Sequence, residues 1–416
     1  MTEELLTKGT LAKSAAEALV SAETVTKDNA LEKIAEALVR RTDEIIAANK
    51  LDLEAAEKNG MKKAMIDRLS LNAERIKGIA EGVLQVRALN DPIGEVVNMQ
   101  KRPNGLLIGK KRVPLGVIAI IYEARPNVTV DAAALCLKTS NACILRGGSE
   151  AINSNKMLMK IMQEAAYEAG IPEGALNIVE DTSRETAAEL MKMNGYIDLL
   201  IPRGGKGLIK TVVENATVPV VETAAGNCHV YVDGAADLDM ALDIVLNAKV
   251  QRPSVCNAAE TLLVDRKIAG KFIPMVFDAL KNKNVEIRAD KESKEYYSDV
   301  NDADEEDYYT EYNDYIIAAK VVDGVDEAIA HINKYNTKHS EAIVTDSYSA
   351  QEKFLNCVDA AAVYVNASTR FTDGFEFGFG AEIGISTQKM HARGPMGLEA
   401  LTSIKYVIYG NGQIRE

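Results

Sequence analysis

The sequence predicts an α/β protein in which a doubly wound, Rossmann-like parallel sheet is joined to a second α/β domain. Short apolar runs alternate with helix-length segments between residues 117 and 221, as in a parallel sheet covered on both faces. A second alternation extends from about residue 228 to residue 387. The chain of 416 residues also exceeds what one ordinary core holds, so two or more domains are expected.

The first hundred residues predict helices that cover another part of the molecule. An apolar stripe with the helical spacing i, i+3, i+4, i+7 is formed by Leu31, Ile34, Ala35 and Leu38. The same spacing recurs after Asn72 at Ile76, Ile79, Ala80 and Val83. Each stripe needs a partner surface elsewhere in the molecule.

A hairpin is predicted next, where turn signals at Asn104-Gly105 and Gly109-Lys110 flank an apolar triplet. This segment (103–117) and the C-terminal run (402–416) have no predicted local partner. We expect them to form an oligomerisation arm whose strands build a sheet between the subunits of a homodimer or a dimer of dimers.

The remaining strands are predicted from short apolar runs bounded by turn residues. In the first domain they are 117–121, 143–145, 177–179, 197–201 and 218–221. In the second they are 261–264, 316–322, 342–344 and 362–365. The predicted domains are 1–102 with 118–226, then 227–388, with 103–117 and 402–416 as the arm. Residues 290–312, rich in Asp, Glu and Tyr, are expected to form a solvated acidic loop, with a regulatory or partner-binding surface as the alternative.

Composition excludes several classes of function. The formal net charge of −13 repels nucleic acid. No apolar run approaches the length of a membrane span, and the N-terminal sequence lacks the features of a signal peptide, so a cytoplasmic location is predicted. The five cysteines are odd in number and widely spaced, and the four histidines show no ligand spacing. Neither a disulfide scaffold nor a metal site is expected.

Cys256 is the residue whose chemistry we expect to matter most. It follows Pro253 in a loop directly before an apolar strand, where a side chain can be presented to a cleft. A thiolate is a strong nucleophile, and a nearby cation such as Arg252 favours its formation. On composition alone, a buried structural cysteine is the alternative.

Asn127 lies after the first parallel strand, at the carboxyl end where α/β proteins bind ligands. Its amide suits the oxyanion that forms when sulfur attacks a carbonyl group, and losing such a donor typically costs about 10²–10³ in rate. Considered alone, an asparagine at this place is more often a helix N-cap.

Two glycine loops at matching topological positions suit phosphate groups, because backbone N–H groups approach an anion closely there. They comprise Arg146, Gly147, Gly148 and Ser149 after the second strand, and Arg203, Gly204 and Gly205 after the fourth. Neither loop has the Gly-x-Gly-x-x-Gly spacing of an ordinary dinucleotide fold.

Five ordered motifs carry a family resemblance. They are YEARPNVT at 122–129, ILRGGSEA at 144–151, PRGG at 202–205, QRPSVCN at 251–257 and HARGPMGL at 391–398. With these motifs the chain resembles the aldehyde dehydrogenase superfamily over essentially its whole length. The resemblance implies an aldehyde dehydrogenase-like fold, with the first domain binding NADPH and the second carrying the catalytic cysteine.

The resemblance also implies roles for single residues. Cys256 falls at the nucleophile of the superfamily and Asn127 at its oxyanion donor. Arg146 falls against the cofactor ribose, and Ser149 falls where NAD-preferring members often carry a carboxylate. The missing carboxylate removes repulsion of a 2′-phosphate, which favours NADPH over NADH. The further predicted cofactor contacts are Lys138, Gly147, Gly148, Arg203, Gly204, Gly205, Glu222 and Glu311. Surface lysine and surface carboxylate are the alternatives for Lys138 and Glu311.

Glu222 departs from the hydrolytic members of the superfamily. It precedes Cys256 by 34 residues (256 − 222), as their general base does. Release of phosphate needs no activated water, and the sequence that follows Glu222 lacks their Glu-Leu-Gly-Gly pattern. We therefore expect Glu222 to have a structural or cofactor-facing role.

The resemblance is strongest to members that reduce an acyl phosphate. It implies reduction of L-glutamyl 5-phosphate to L-glutamate 5-semialdehyde, the second step of proline biosynthesis from glutamate. Substrate anchors are expected among Glu123, Arg125, Arg252 and Arg393, and a transient contact with glutamate 5-kinase is a further implication. The alternatives are a hydrolytic aldehyde dehydrogenase and a non-catalytic protein that kept the fold.

Overall fold

The computed structural model describes residues 1–223 and 225–415. Ala224 of the predicted cofactor domain and Glu416 of the predicted arm therefore lie outside the described residues. The chain divides into two compact units. The first comprises residues 1–222, 378–384 and 396–416, and the second comprises residues 223–377 and 385–395.

The helices and strands are numbered in chain order. The helices are α1 (Glu3–Leu19), α2 (Thr24–Arg40), α3 (Thr42–Lys58), α4 (Lys63–Leu69), α5 (Ala73–Ala88), α6 (Pro126–Lys138), α7 (Ile152–Glu168), α8 (Arg184–Leu190), α9 (Lys206–Asn215), α10 (Leu238–Val250), α11 (Arg266–Lys281), α12 (Lys291–Tyr296), α13 (Gly324–Tyr335) and α14 (Tyr348–Cys357). The strands are β1 (Val96–Lys101), β2 (Leu107–Pro114), β3 (Val117–Tyr122), β4 (Ala142–Arg146), β5 (Leu176–Ile178), β6 (Leu199–Arg203), β7 (Cys228–Val232), β8 (Ala259–Asp265), β9 (Glu286–Ala289), β10 (Asn301–Asp302), β11 (Ile316–Val322), β12 (Ser340–Val344), β13 (Ala362–Val365), β14 (Ile385–Ser386), β15 (Gly394–Pro395) and β16 (Thr402–Tyr409).

The first unit is built on a parallel sheet with the strand order β5-β4-β3-β6. Every residue of β3 is buried, as expected for an apolar strand covered on both faces. The predicted strand at 218–221 contributes a single parallel bridge between Leu200 and Val220. The predicted N-terminal helices pack in this unit, where α2 lies against α5 and α7.

An antiparallel sheet with the order β1-β2-β16 forms the arm. The C-terminal strand pairs with β2 from Thr402↔Pro114 to Tyr409↔Leu107, so its partner lies in the same chain and the expectation that it lacks one was wrong. The arm also includes β1, which we had assigned to the cofactor domain. Gly109 lies inside β2 rather than in a turn, and a Cβ atom there would crowd Met99 of β1 and Val407 of β16.

The second unit is built on seven parallel strands in the order β10-β9-β11-β8-β7-β12-β13. The four strands predicted for this domain all lie in the sheet, whereas β7, β9 and β10 were not predicted. Apolar side chains of β7, β8 and β11 pack against α10 and α11 on one face and against α13 and α14 on the other.

The predicted acidic loop is a packed element of the second unit. It contains α12, the short edge strand β10 and a turn of 3₁₀ helix, and both Asp307 and Tyr308 are buried. Arg288 Nη1 lies 2.8 Å from Asp307 Oδ1, and the Tyr312 hydroxyl donates a hydrogen bond to the same oxygen at 2.8 Å. Solvation of the whole segment was therefore the wrong expectation, since pairing with Arg288 allows its acidic side chain to be buried. In the described part of the chain, no helix is both long enough and apolar enough to cross a membrane.

Candidate active site

The loop that carries Cys256 lies where the parallel strands of the second unit begin. It joins the end of α10 to β8, and β7, β12 and β13 start at the same edge because all of these strands run in one direction. Cys256 is half-buried. The residue is therefore neither sealed in the core nor fully exposed.

Two residues at the start of β7 fix the backbone of this loop. The Cys228 thiol donates a hydrogen bond to the carbonyl oxygen of Cys256, with an S···O distance of 3.2 Å. Burial raises the pKa of the Cys228 thiol, and the charges of Glu341 and Cys256 raise it further, so Cys228 stays a protonated donor. Gly226 passes so close that a Cβ atom there would overlap the Cys256 carbonyl group.

The residue after the nucleophile is tied to a segment that follows β13. Asn257 Nδ2 donates to the carbonyl oxygens of Arg370 at 3.2 Å and Thr372 at 3.0 Å, and the Thr369 hydroxyl donates to the Asn257 carbonyl at 2.7 Å. The Arg370 guanidinium donates to Asn257 Oδ1 and, through Nε, to Gln251 Oε1 at 2.7 Å. The loop is thus held from both sides.

Arg370 is a cation close to Cys256. Burial and the nearby Arg252 lower the pKa of Arg370, whereas Cys256 and Asp373 raise it. A guanidinium placed near a thiol favours the thiolate, because the opposite charge stabilises the ionised form. Sequence reasoning assigned this effect to Arg252, which is exposed in the same loop, and missed Arg370.

A buried ion pair joins the two ends of the segment that carries Cys256. Lys249 Nζ, in α10, lies 2.5 Å from Glu260 Oε2, in β8, and neither side chain is exposed. Burial raises the pKa of Glu260 to about 7, and burial also lowers the pKa of Lys249. The pair fixes where the segment leaves the helix and where it enters the sheet.

Glu311 binds Gly226, the glycine that lies against the Cys256 carbonyl group. Its Oε1 atom accepts a hydrogen bond from the Gly226 N–H group at 2.7 Å, and the residue is half-buried. This contact places a carboxylate beside the Cys256 loop. The predicted contact between Glu311 and the nicotinamide ribose stays a prediction.

The first unit gathers the predicted glycine loops at the carboxyl edge of its sheet. The loop at 147–148 follows β4 and the loop at 204–205 follows β6, and these two strands flank β3. Glu123 and Asn127 follow β3 directly. The alternating sequence pattern therefore located these residues at one edge correctly.

Asn127 lies in the first turn of α6 and is exposed. Its Nδ2 atom donates a hydrogen bond to Asp131 Oδ2 at 3.2 Å, and burial raises the pKa of Asp131 to about 6. An amide nitrogen has two N–H groups, so this bond orients the side chain and leaves one donor for a ligand. The predicted action of Asn127 on a carbonyl bound at Cys256 would join two units and stays a prediction.

Glu123 has a different role from the one predicted. Its Oε2 atom accepts a hydrogen bond from the Gly205 N–H group at 2.9 Å, and a Cβ atom on Gly204 would lie 2.7 Å from its carboxyl carbon. The carboxylate thus caps the N-terminal end of α9, where the backbone N–H groups favour an anion. Its contacts explain a loop-stabilising residue rather than a substrate anchor.

Part of this edge fits a dinucleotide phosphate and part does not. Gly205 is exposed and has no side chain to obstruct an approaching phosphate. The N-terminus of α7 is already bound to a carboxylate, because Asp52 accepts from the N–H groups of Asn153 at 3.1 Å and Ser154 at 2.8 Å. The N-terminus of α9 is also bound to a carboxylate, that of Glu123, but Glu123 and Gly205 are exposed whereas Asp52 is buried. A phosphate has to displace only an exposed side chain at the loop after β6, so it fits there better than at the helix end after β4.

Arg146 is half-buried at the end of β4. Its Nη2 atom donates to the carbonyl oxygens of Thr182 at 2.5 Å and Ser183 at 3.2 Å, while its buried Nε atom has no partner among the described residues. Glu150 lies beside it, with Oε2 at 3.4 Å from the Ser149 hydroxyl. The carboxylate that is absent at Ser149 is therefore supplied one residue later, which weakens the sequence argument for NADPH.

Comparison with known proteins assigns the chain to a family. Residues 7–314 match the model of the aldehyde dehydrogenase family. The chain is 64% identical to a gamma-glutamyl phosphate reductase of Clostridium perfringens and 62% identical to one of Clostridium beijerinckii, over 100% and 99% of this chain and 100% of each relative. The crystal structure of the gamma-glutamyl phosphate reductase of Thermotoga maritima superposes with a TM-score of 0.98 at 51% identity, and the match covers 100% of both chains. The chain belongs to the gamma-glutamyl phosphate reductases of the aldehyde dehydrogenase family. The predicted family and fold class are confirmed.

Lys138 does not fit the cofactor role that we expected in a gamma-glutamyl phosphate reductase. It ends α6, so it lies at the opposite end of the sheet from the glycine loops. Its side chain is buried, with Nζ at 2.5 Å from Asp28 Oδ1 and at 2.8 Å from the Arg87 carbonyl oxygen. A lysine that joins the N-terminal helices to the sheet explains these contacts.

Arg393 has an internal partner. Its Nη2 atom lies 2.7 Å from Asp359 Oδ1, and Lys338 and Lys389 lie 3.3 and 3.1 Å from Asp359 Oδ2. Arg393 and the two lysines hold the pKa of Asp359 well below its ordinary value. This arrangement gives no support to Arg393 as a substrate anchor.

Two further predicted residues lie in the first unit. Arg125 is exposed immediately before α6. Glu222 ends the long N-terminal part of this unit, at the point where the chain passes into the second unit.

Proposed function

We propose that this gamma-glutamyl phosphate reductase acts through a thioester on Cys256. The enzyme is an oxidoreductase of proline biosynthesis, and its substrate on this proposal is L-glutamyl 5-phosphate. The Cys256 thiolate attacks the acyl carbon, the carbon–oxygen bond to phosphate breaks, and inorganic phosphate leaves. Reduction of the thioester gives a thiohemiacetal, which collapses to L-glutamate 5-semialdehyde and returns the thiolate. Covalent catalysis of this kind divides one difficult step into two easier ones.

The observation that carries the proposal is the mounting of Cys256. Its carbonyl group is held by the Cys228 thiol, the next residue is held by the segment after β13, and the side chain remains half-buried. Arg252 lies on this loop, Arg370 reaches it from the segment after β13, and both cations favour the thiolate. These features distinguish a presented nucleophile from a structural cysteine.

Residues of the first unit also have roles in the proposed reaction. Asn127 donates an N–H group to the oxyanion that forms during attack. NADPH, when bound, supplies the hydride; we assign its phosphates to Gly204 and Gly205 and its 2′-phosphate to the region of Arg146 and Ser149. Glu222 is not required as a general base, because phosphate rather than water is the second reactant when the reaction is run towards the acyl phosphate.

Substituting Cys256 and, as a control, Cys357 offers a matched test of the nucleophile. Cys256→Ser should abolish phosphate-dependent oxidation of L-glutamate 5-semialdehyde with NADP⁺, by at least about 10³-fold, because an alkoxide is far less available than a thiolate. Cys357→Ser removes an exposed thiol and should leave the rate unchanged. Retained activity in Cys256→Ser would refute the mechanism, and equal rates with and without phosphate would favour a hydrolytic enzyme. The same assay with NAD⁺ in place of NADP⁺ tests the cofactor preference.

The arm supports a homodimer or a dimer of dimers. Ile404, Tyr406 and Ile408 alternate along β16 and lie on one exposed face, which is unusual for an isolated monomer. Ile408→Lys should shift the mass measured by light scattering towards the monomer. Val25→Lys, at an exposed apolar site on α2, is the control and should not change the mass. A wild-type chain that is monomeric at all concentrations would contradict this proposal.

The glutamate 5-kinase contact and the cytoplasmic location remain predictions.

A further inference from the structure

A small cavity of opposite charges lies beside the nucleophile loop in the second unit. Its volume is about 220 Å³. It is lined by Asn247, Gln251, Arg370, Phe371, Asp373 and Glu376. A cavity of this size is smaller than a site for a whole cofactor, for which several hundred Å³ are usual. It suits one end of a small molecule.

The charges in this cavity are not neutralised by one another. Arg370 uses Nε and Nη1 for Gln251 and Asn257, and Nη2 makes no hydrogen bond with any described residue. Among residues 1–223 and 225–415, no carboxylate lies within ion-pair distance of Arg370. Asp373 uses Oδ1 to accept from the backbone N–H groups of Phe375 at 2.9 Å and Glu376 at 3.4 Å, which turns the chain sharply here. One guanidinium and two carboxylates therefore face the same small space with their outer atoms available.

The cavity is connected to the catalytic loop by hydrogen bonds. Gln251 belongs to the loop itself, and Arg370 donates to the residue that follows Cys256. The substrate of the proposed reaction carries its acyl phosphate on one side and an α-amino acid group on the other, with two methylene groups between them. Arg370 contacts the residue next to Cys256, so one molecule can present its acyl carbon to Cys256 and its α-amino acid group to Arg370.

We propose that this cavity binds the α-amino acid end of the substrate. Arg370, through Nη2, binds the α-carboxylate, since guanidinium groups match carboxylates in geometry and charge. Glu376 and Asp373 bind the α-ammonium, and Asn247 and Gln251 supply amide groups for the remaining hydrogen bonds. The inference rests on the proposed function and names the residues that select its substrate.

The charge balance distinguishes this ligand from the phosphate group of the same substrate. A phosphate in the cavity would meet two carboxylates, and repulsion between like charges disfavours it. A zwitterionic amino acid group pairs with both signs of charge at once. The phosphate is therefore not expected to bind in this cavity.

The test compares three aldehydes in the phosphate-dependent oxidation with NADP⁺. L-glutamate 5-semialdehyde carries both charged groups, 5-oxopentanoate lacks the ammonium, and butanal lacks both. For Glu376→Gln, the ratio of kcat/KM for L-glutamate 5-semialdehyde to that for 5-oxopentanoate should fall by about 10- to 100-fold, the usual worth of a hydrogen bond to a charged group. For Arg370→Gln, kcat/KM should fall by a similar factor, relative to the value for butanal, for both substrates that carry a carboxylate, L-glutamate 5-semialdehyde and 5-oxopentanoate.

The ratios separate recognition from structural damage. Arg370 also holds the catalytic loop, and a purely structural loss would lower kcat/KM for all three aldehydes equally; that result would overturn the role of Arg370. Glu376 is exposed, and Glu352→Gln on α14 is its matched control, with all three ratios unchanged. An unchanged ratio in Glu376→Gln would overturn the ammonium assignment. Failure of the wild-type enzyme to oxidise L-glutamate 5-semialdehyde would instead refute the proposed function, and with it this inference.

Discussion

His331 makes the second unit sensitive to acid in a way that can be calculated. The imidazole lies in α13 and is 5% exposed. Its ring centroid lies 4.9 Å from that of Tyr308, 4.4 Å from that of Tyr335 and 5.7 Å from that of His229. Burial lowers the pKa of His331 to about 2, with the neighbouring His229 acting in the same direction. The folded protein therefore keeps this ring neutral down to strongly acidic pH.

The unfolded chain binds a proton at His331 much sooner, near pH 6.5. Because the folded-state pKa lies below the unfolded value, the contribution to stability is complete above pH 6.5 and is lost as pH falls from there towards 2. Between pH 8 and pH 5 the loss amounts to about 2 kcal/mol from this one group. That free energy corresponds to about a 30-fold change in the opening equilibrium of the unit.

The variant His331→Phe keeps an aromatic ring against the two tyrosines and removes the titration. Hydrogen exchange of the β7 amides reports opening of the second unit, and comparing variant with wild type at the same pH removes the intrinsic effect of pH on exchange. The ratio of variant to wild-type exchange rates should fall about 30-fold from pH 8 to pH 5. His391→Asn, at an exposed histidine with positive φ, should keep a constant ratio. A constant ratio in His331→Phe would refute the calculation.

Two further predictions concern the mounting of the nucleophile. Lys249→Met leaves Glu260 buried without its cation and should lower the free energy of unfolding of the second unit by about 3–5 kcal/mol, whereas the double variant with Glu260→Leu should recover part of this loss in urea denaturation. A double variant no more stable than Lys249→Met would contradict the role of the pair. Gly226→Ala places a methyl group on the Cys256 carbonyl and should lower kcat/KM at least about 100-fold through displacement of the loop. Gly207→Ala, where a Cβ atom meets nothing within 4 Å, is the control. Full activity in Gly226→Ala would show that the loop is not constrained by this contact.

The sheets were predictable because burial on both faces leaves a simple pattern in the sequence. A strand such as β3 consists of apolar residues bounded by turns, and helices separate it from the next strand. Gly109 shows where the pattern fails, since glycine marks turns and also marks places where another strand crosses closely. The pairing of Gly109 with Met99 on one side and Val407 on the other decides between these two meanings.

The environment of a residue could be predicted when it depended on neighbours in the sequence. It could not be predicted when it depended on partners that are distant in the sequence. The positions of Cys256 and of the glycine loops next to strands were predicted from motifs a few residues long. Lys138 was misassigned because its partner, Asp28, is 110 residues away in the sequence. Arg370 was missed for the same reason, since it reaches the nucleophile loop from 113 residues downstream and lies in none of the motifs.

The hydrogen bonds that hold the Cys256 loop divide the second unit into a part in which substitutions disturb Cys256 and a part in which they do not. Three distant stretches of chain (226–228, 256–257 and 369–372) meet at the sulfur-bearing loop, so a shift in any one of them displaces the reactive atom. The turn at 373–377 follows directly and carries exposed side chains at Phe375 and Glu376. Efforts to redirect this enzyme to other aldehydes are therefore best begun in that turn, where new side chains can be installed without dislodging the sulfur.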